Sequence, residues 1–186
     1  MVETVDVPTF NYLLHPAHTS LVTVGDVEGE ANILAIAWIM PVSVKPPLLC
    51  MSIRPGRYSY GFIQKSGEFV VNVPPSEITP QVLYCGRRSG REVDKFSKTG
   101  LTPKPARVVR APIIEECMAF MECRVIQEVE AGDHQLMIAE VVEAYAKVGI
   151  LGEDGLYDLK QAHPIFHVGG DRFTIASDTT MEPKLE

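Results

Sequence analysis

Two runs late in the chain, CMAFMECRVIQEVEAG and DHQLMIAEVVEAYAKV, do most to restrict its fold. RVIQEVE and MIAEVVEAYA mix β-branched residues with charges, as strands with one solvated face do. Only the turn Ala131-Gly132-Asp133 separates the two runs. A connection that short joins antiparallel strands and cannot join parallel ones. One strand face of the first run would carry Met118, Phe120, Glu122, Arg124, Ile126, Glu128 and Glu130, mixed at its start and more polar near its end. A hairpin alone is marginal in water, so further strands must complete the sheet.

The rest of the chain supplies them. TSLVTVGDVEGEANILAIAW reads as a hairpin, with strands over Thr19–Val24 and Ala31–Trp38 and a turn over Gly25–Gly29. PPLLCMSI is a third strand, placed after prolines that a sheet interior would reject. YSYGFIQKSG reads as a short helix with Ser59 as N-cap and Gly67 as its stop. GEFVVNVP is a fourth strand. SEITPQVLYCG reads as a helix capped by Ser76, and EVDKFSKTG as another, stopped by Gly100. LTPKPARVVRAP is broken by prolines and should run extended. PIFHVGGDRFTIA is a last hairpin, and the polar tail SDTTMEPKLE should fray. Strands linked through hairpins, with helices at the crossings, favour a single antiparallel barrel over a βαβ sheet. No G-x-G-x-x-G or Walker sequence occurs, so neither of those nucleotide sites is supported.

The chain has 186 residues, enough for one domain with a sizeable core and short for two. A net charge of −7 opposes general binding to nucleic acid or to an anionic membrane, although a local basic patch can still hold a small anion. The four cysteines, Cys50, Cys85, Cys117 and Cys123, form no C-x-x-C pair and lie near no histidine at zinc-knuckle spacing. No run approaches the roughly 18–20 apolar residues of a membrane helix, and MVETVDVPTF lacks the apolar core of a secretory leader. A cytoplasmic protein with reduced, buried thiols is the expectation.

Against that acidic background, four clusters stand out. In MSIRPGRYSYG a strand ends at Ile53, the chain turns through Arg54-Pro55-Gly56-Arg57, and a helix begins near Ser59. Free N–H groups at a helix start, with arginine and serine donors beside them, suit a phosphate. A single arginine in a turn ordinarily faces water, so the weight lies on the cluster. YCGRRSGREVDKF is a second glycine-rich basic loop, with Arg87, Arg88, Arg91 and Lys95 as cations and Gly86 and Gly90 allowing close approach. In EGEANILAIAWIMPVSVKPP, Asn32 sits on an apolar strand, and Ala35 and Ala37 leave room for a flat ring; a packed strand with Trp38 in the core is the plainer reading. His134, at the hairpin top, can titrate near neutral pH and pass a proton, or simply occupy an exposed turn. His163 and His167 read equally well as packing groups.

Taken in order, NILAIAWIMPVSVKPPLLCMSIRPGRYSYGFIQKSGEFVVNVP, SGREVDKFSKTGL, IIEECMAFMECRV and GDHQLMIAEVVEA resemble the flavin reductase-like family of FMN-binding split barrels, over roughly Thr19 to Val148. The nearest branch is similar to flavoredoxins and archaeal-type ferric reductases. The resemblance implies one domain over residues 1–176 with a polar tail over 177–186, a mainly β fold with short helices, and a six-stranded antiparallel split barrel. It implies a homodimer with FMN near the interface. Electrons would pass from NADH or NADPH through FMN to free flavin, ferric complexes or a partner protein. By motif, Asn32, Ala35, Ala37 and Trp38 would lie along the isoalloxazine. Met51, Ser52, Ile53 and Arg54, with Tyr58, Ser59 and Tyr60, would hold ribityl and phosphate. Asn72 would sit beside the ring, and Ser89, Gly90, Lys95 and Phe96 would close the phosphate side. His134 would be catalytic, facing the reactive end of the flavin or the nicotinamide. Two positions depart from the family pattern: Ala139 stands where glycine is frequent, and His167 where tyrosine is. An FMN-binding electron carrier without nicotinamide activity and a cofactor-free, anion-binding dimeric barrel remain as alternatives.

Overall fold

The computed structural model describes residues 4–183. Its strands are β1 (Ala17–His18), β2 (Ser20–Gly25), β3 (Ala31–Ile36), β4 (Ile39–Ser43), β5 (Leu48–Ile53), β6 (Glu68–Val73), β7 (Pro103–Lys104), β8 (Ile113–Ile114), β9 (Ala119–Ala131), β10 (His134–Ala146), β11 (Ile165–Gly169) and β12 (Arg172–Ile175). The α-helices are α1 (Tyr58–Ser66), α2 (Thr79–Arg87) and α3 (Lys95–Thr99). Single 3-10 segments cover Val7–Leu14 and Ser76–Ile78. The main sheet runs β3-β2-β6-β9-β10-β5-β4, every neighbouring pair antiparallel. Its two edge strands, β3 and β4, are consecutive in the chain and only Ala37 and Trp38 separate them. The sheet must therefore curl until its edges meet. The Ser52 N–H donates to the Trp38 carbonyl at 2.9 Å and ties that corner to β5.

This main sheet has seven strands, not the six expected. The return strand expected over Ala31–Trp38 stops at Ile36, the chain bends, and β4 begins three residues later. Pro41 made 39–43 look like a loop. The strand tolerates it because β4 lies at the sheet edge, where a missing N–H interrupts no second ladder. The long hairpin forms as expected, with His134 paired to Ala131 and Gly132 at φ 63 in the tight turn. A second, three-stranded sheet, β1-β11-β12, packs beside the barrel, and the Thr19 N–H donates to the Ile165 carbonyl at 3.0 Å where the two meet.

Period-two alternation divides the strands between two apolar cores. Val22, Val24, Leu34, Ile36, Leu49, Met51, Ile53, Phe69, Val71 and Met137 point inward, with Ile63 of α1 closing one end. Leu21, Ile33, Val70 and Phe120 point outward, and α2, Leu101, Ile114 and Ile165 cover them. With both faces buried, β2, β3 and β6 read as continuous apolar runs rather than alternating ones.

The segment between α3 and β9 is strapped to the barrel by polar side chains. Glu122, fully buried in β9, accepts from the main-chain N–H groups of Arg107 (2.7 Å), Val108 (2.6 Å) and Val109 (3.0 Å) and from the Tyr145 hydroxyl (3.0 Å). Burial opposes its ionisation, but these four donors outweigh it and hold the carboxyl below the usual range. Asn72 Oδ1 accepts from the Ile114 N–H at 2.8 Å, and Glu116 accepts from the Thr102 N–H. Gly67 and Gly100, at φ 68 and 71, end α1 and α3 as expected. Serine capping fails at both expected places. Arg57 occupies the N-cap of α1, and Ser76 belongs to a 3-10 turn ahead of α2 with no side-chain cap bond. Asp94 caps α3 instead, accepting from the Ser97 N–H at 3.2 Å. Residues 177–183 of the tail carry no regular structure, and 184–186 lie outside the described residues.

Candidate functional site

A groove of about 420 Å³ opens where the β3–β4 corner, the end of β5, α2 and the second sheet converge. Ala35 and Ala37 form a shallow stretch of one wall, and Trp38, 41% exposed, stands at its end. Ser52 and Ile53 end β5 and Arg54 follows it, while His134 starts β10, which pairs with β5 in register (Gln135 opposite Ile53). Val82, Leu83 and Gly86 of α2 form the facing wall. A Cβ on Gly86 would stand 3.4 Å from the Ala35 Cβ, so α2 lies close on β3. His167, Gly170 and Phe173 of the second sheet complete it, with Tyr12 from the first 3-10 segment.

The lining carries three arginines, Arg54, Arg57 and Arg87, and no aspartate or glutamate. Two are engaged from behind. Arg54 Nη2 meets Asp133 Oδ2 at 2.9 Å, and Arg87 Nε donates to Asp171 Oδ1 at 2.7 Å. Arg57, the N-cap of α1, pairs with no carboxylate among the described residues. The first turn of α1 holds no acidic residue and no side-chain cap bond. Helix dipole and guanidinium therefore both favour an anion at this point.

Asp133 links Arg54 to His134. Its Oδ1 lies 2.7 Å from His134 Nδ1, and its carboxyl is held below the usual range by that hydrogen bond and by the Arg54 charge. An ionised carboxylate only accepts, so the proton belongs on Nδ1, leaving Nε2 without a protein partner among the described residues. The imidazole rests on Trp38, ring centroids 5.0 Å apart and planes 32° apart. Trp38 is thus at the groove and not in the core, the plainer of the two readings of its strand.

Folding brings the two basic loops together. Arg91 Nη1 donates to the Gly56 carbonyl at 3.0 Å and its guanidinium lies 5.4 Å from the centre of the Tyr58 ring. The Ser89 hydroxyl accepts from the Arg91 N–H. The turn 54–57 is closed by an Arg57 N–H to Arg54 carbonyl bond of 3.0 Å, with Pro55 at a position that suits its fixed φ.

Of the residues expected to hold a ligand, Ala35, Ala37, Trp38, Ser52, Ile53, Arg54 and His134 line the groove. The others have protein partners instead. Lys95, 4% exposed, donates its ammonium to the carbonyls of Ile33 and Cys85 at 2.7 Å each, pinning α3 and α2 to β3; burial lowers its pKa. Asn72 donates to the Leu21 carbonyl (3.0 Å) and Thr23 Oγ1 (3.1 Å), inside the sheet. Asn32 Nδ2 donates to Ser59 Oγ at 2.8 Å, both buried. A Cβ on Gly90 would fall 2.4 Å from Asn32 Oδ1, so its backbone lies close on Asn32 and Tyr58. Met51 points into the barrel, and Phe96 packs on the outer core. Tyr58 bonds Glu30 and Tyr60 bonds Glu128, away from the lining. Conversely, the lining includes Arg57 and Arg87, which the two basic loops marked as cations without assigning them a ligand contact, and Tyr12 and Phe173, which no local motif marked. For Phe173 the substituted His167 on the adjoining strand was the available signal. The cysteine thiols are all buried. Burial pushes Cys85 up to about 11, partly offset by Lys95, and raises Cys50, Cys117 and Cys123. Among the described residues no helix is long and apolar enough to cross a membrane.

Comparison with known proteins identifies the family and the fold. Residues 12–165 match the model of the flavin reductase like domain. An uncharacterized protein of Archaeoglobus fulgidus is 36% identical over 170 residues, 91% of this chain and 94% of its own length. Flavoredoxin of Desulfovibrio vulgaris superposes with a TM-score of 0.86 at 28% identity, over 98% of this chain and 97% of its own. The FMN-binding protein of Thermus thermophilus gives 0.85 at 27%, covering 98% of each.

Proposed function

The chain belongs to the flavin reductase-like family, whose members point to a flavin-related oxidoreductase, and from that premise we propose that it binds FMN in the groove and passes electrons through it from NADH or NADPH. The observation that carries this reading is the composition of the groove. Small residues leave a flat wall at Ala35 and Ala37, an aromatic corner ends it at Trp38, and an arginine without a carboxylate partner among the described residues stands at a helix start. The volume suits a ligand of this size. The donors suit a phosphate.

Ala35 and Ala37 would bear the isoalloxazine, with Trp38 and His134 at its edge. Arg57 and the first N–H groups of α1 would hold the phosphate, and Ser52 would serve the ribityl hydroxyls. Bound flavin supplies the hydride and electron chemistry itself. The protein supplies orientation and charge. Asp133 fixes the His134 tautomer, so that Nε2 is the nitrogen on which the imidazole would take up or release a proton at the groove. Free flavin, ferric complexes or a protein partner would receive the electrons.

A homodimer would cover the exposed apolar residues of edge strand β4, Met40 and Val42, and the adjoining Val44, 85% exposed. Lone edge strands with such faces invite pairing.

Arg57→Ala tests the assignment. It should weaken FMN about tenfold and change riboflavin less than about twofold, because it removes a charge partner and no ring contact. Equal losses for the two ligands, followed by flavin fluorescence, would contradict the placement. Rapid mixing of the FMN-loaded protein with NADH or NADPH tests the donor. If neither bleaches the flavin faster than it bleaches free FMN, the chain is an electron carrier fed by another protein.

A further inference from the structure

We propose that the second ligand of the groove, the small redox partner that exchanges electrons with the flavin, is an anion, and that Arg87 recognises its carboxylate or phosphate by exchanging Asp171 for it. This rests on the FMN reading above. Among the described residues the groove lining holds three arginines and no acid in a chain of net charge −7, so the groove is a local cationic site on an acidic chain. Each arginine stands in a different relation to its neighbours. Arg54 is built into the Asp133–His134 link, and Arg57 stands at the start of α1 without a carboxylate partner. Arg87 differs from both. It ends α2 and reaches across to the β11–β12 turn, where Nε and Nη2 both bond the single oxygen Oδ1 of Asp171.

Both side chains of that pair are more than half exposed, 58% and 62%. Exposed pairs of this kind are held weakly and exchange readily for a competing anion. The guanidinium keeps donors in hand, since five N–H bonds are available and this contact uses two. His167, Gly170 and Phe173 line the groove with it, as do Trp38 and His134. Arg87 is then a specificity residue for the redox partner, and Asp171 is the counter-charge that keeps the place until the partner arrives.

The test uses FMN-saturated protein, reduced with dithionite and mixed with either ferricyanide, a substitution-inert trianion, or neutral p-benzoquinone. Two ferricyanide ions, each gaining one electron, reoxidise one reduced flavin. At low ionic strength Arg87→Gln should lower the ferricyanide-to-quinone rate ratio about tenfold, the scale of electrostatic steering by one site, and Asp171→Asn should raise it. A ratio unchanged in Arg87→Gln overturns the proposal. So does a parallel loss of FMN affinity, measured first by fluorescence, since Arg87 would then belong to the FMN phosphate. A protein that takes up no FMN at all refutes the earlier reading at that first step, separately from this one. A second readout needs no turnover. The Arg87 Nε–H resonance, identified by its loss in Arg87→Gln, should shift on adding tricarballylate or pyrophosphate at constant ionic strength. The probe that acts at lower concentration marks the partner as carboxylate- or phosphate-bearing. A resonance moved by neither overturns the proposal.

Discussion

Glu122 is a carboxylate enclosed by donors from one loop and one tyrosine, and its ionised form is what the fold needs. Glu122→Gln keeps the shape but sets an amide NH₂ against N–H groups, so at neutral pH it should cost on the order of 2–4 kcal/mol of stability. The sign with pH follows from its lowered pKa. A group depressed in the folded state contributes fully above its unfolded value, about 4.3, and loses that contribution as pH falls through the folded value. Denaturant midpoints of wild type and variant should therefore lie well apart at pH 7 and converge as pH falls through the folded value. A constant gap would contradict an ionised Glu122. None of this was visible in the sequence, where Glu122 alternates with Arg124 and Glu128 on what reads as a solvated face. The loop that buries it is supplied by residues 107–109, which a pattern within the strand cannot see. The surroundings of Lys95 were hidden for the same reason. Basic loop composition marks a cation but does not reveal that main-chain carbonyls of β3 and α2 already surround it.

The turn between β5 and α1 and the loop between α2 and α3 are one unit in space, joined by Arg91 to Gly56 and by the close seat of Gly90 on Asn32. Gly90→Ala would bring a methyl to 2.4 Å from a buried amide oxygen and 2.8 Å from the Tyr58 ring. It should cost about 1–3 kcal/mol by overpacking, seen as a lowered thermal midpoint without FMN present. An unchanged midpoint would mean that the loop moves freely. At this scale the hairpins were legible because turn glycines and apolar runs coincide, as at Gly25 and Gly132. β4 was not, because Pro41 hides an edge strand. The caps were misplaced because Ser59 is turned inward to Asn32, so burial overrides a favourable capping residue.

For the whole molecule, the barrel closes because β3 and β4 are consecutive yet occupy opposite sheet edges, and that closure sets Trp38 against His134 from the far hairpin. The groove is therefore a product of topology. Its half from β3, β5 and β10 could be read from motifs, whereas the half from α2 and the second sheet depends on how those elements dock. The exposed apolar edge at β4 predicts a particle of about twice 20.5 kDa by light scattering at micromolar concentration, and a monomer there would contradict the homodimer. The central claim is that FMN occupies this groove, and a diffraction map from crystals grown with FMN tests it most directly. The account predicts the ring along Ala35, Ala37 and Trp38 with the phosphate at Arg57 and the start of α1. FMN density elsewhere on the chain, or none from crystals grown at saturating FMN, would contradict it.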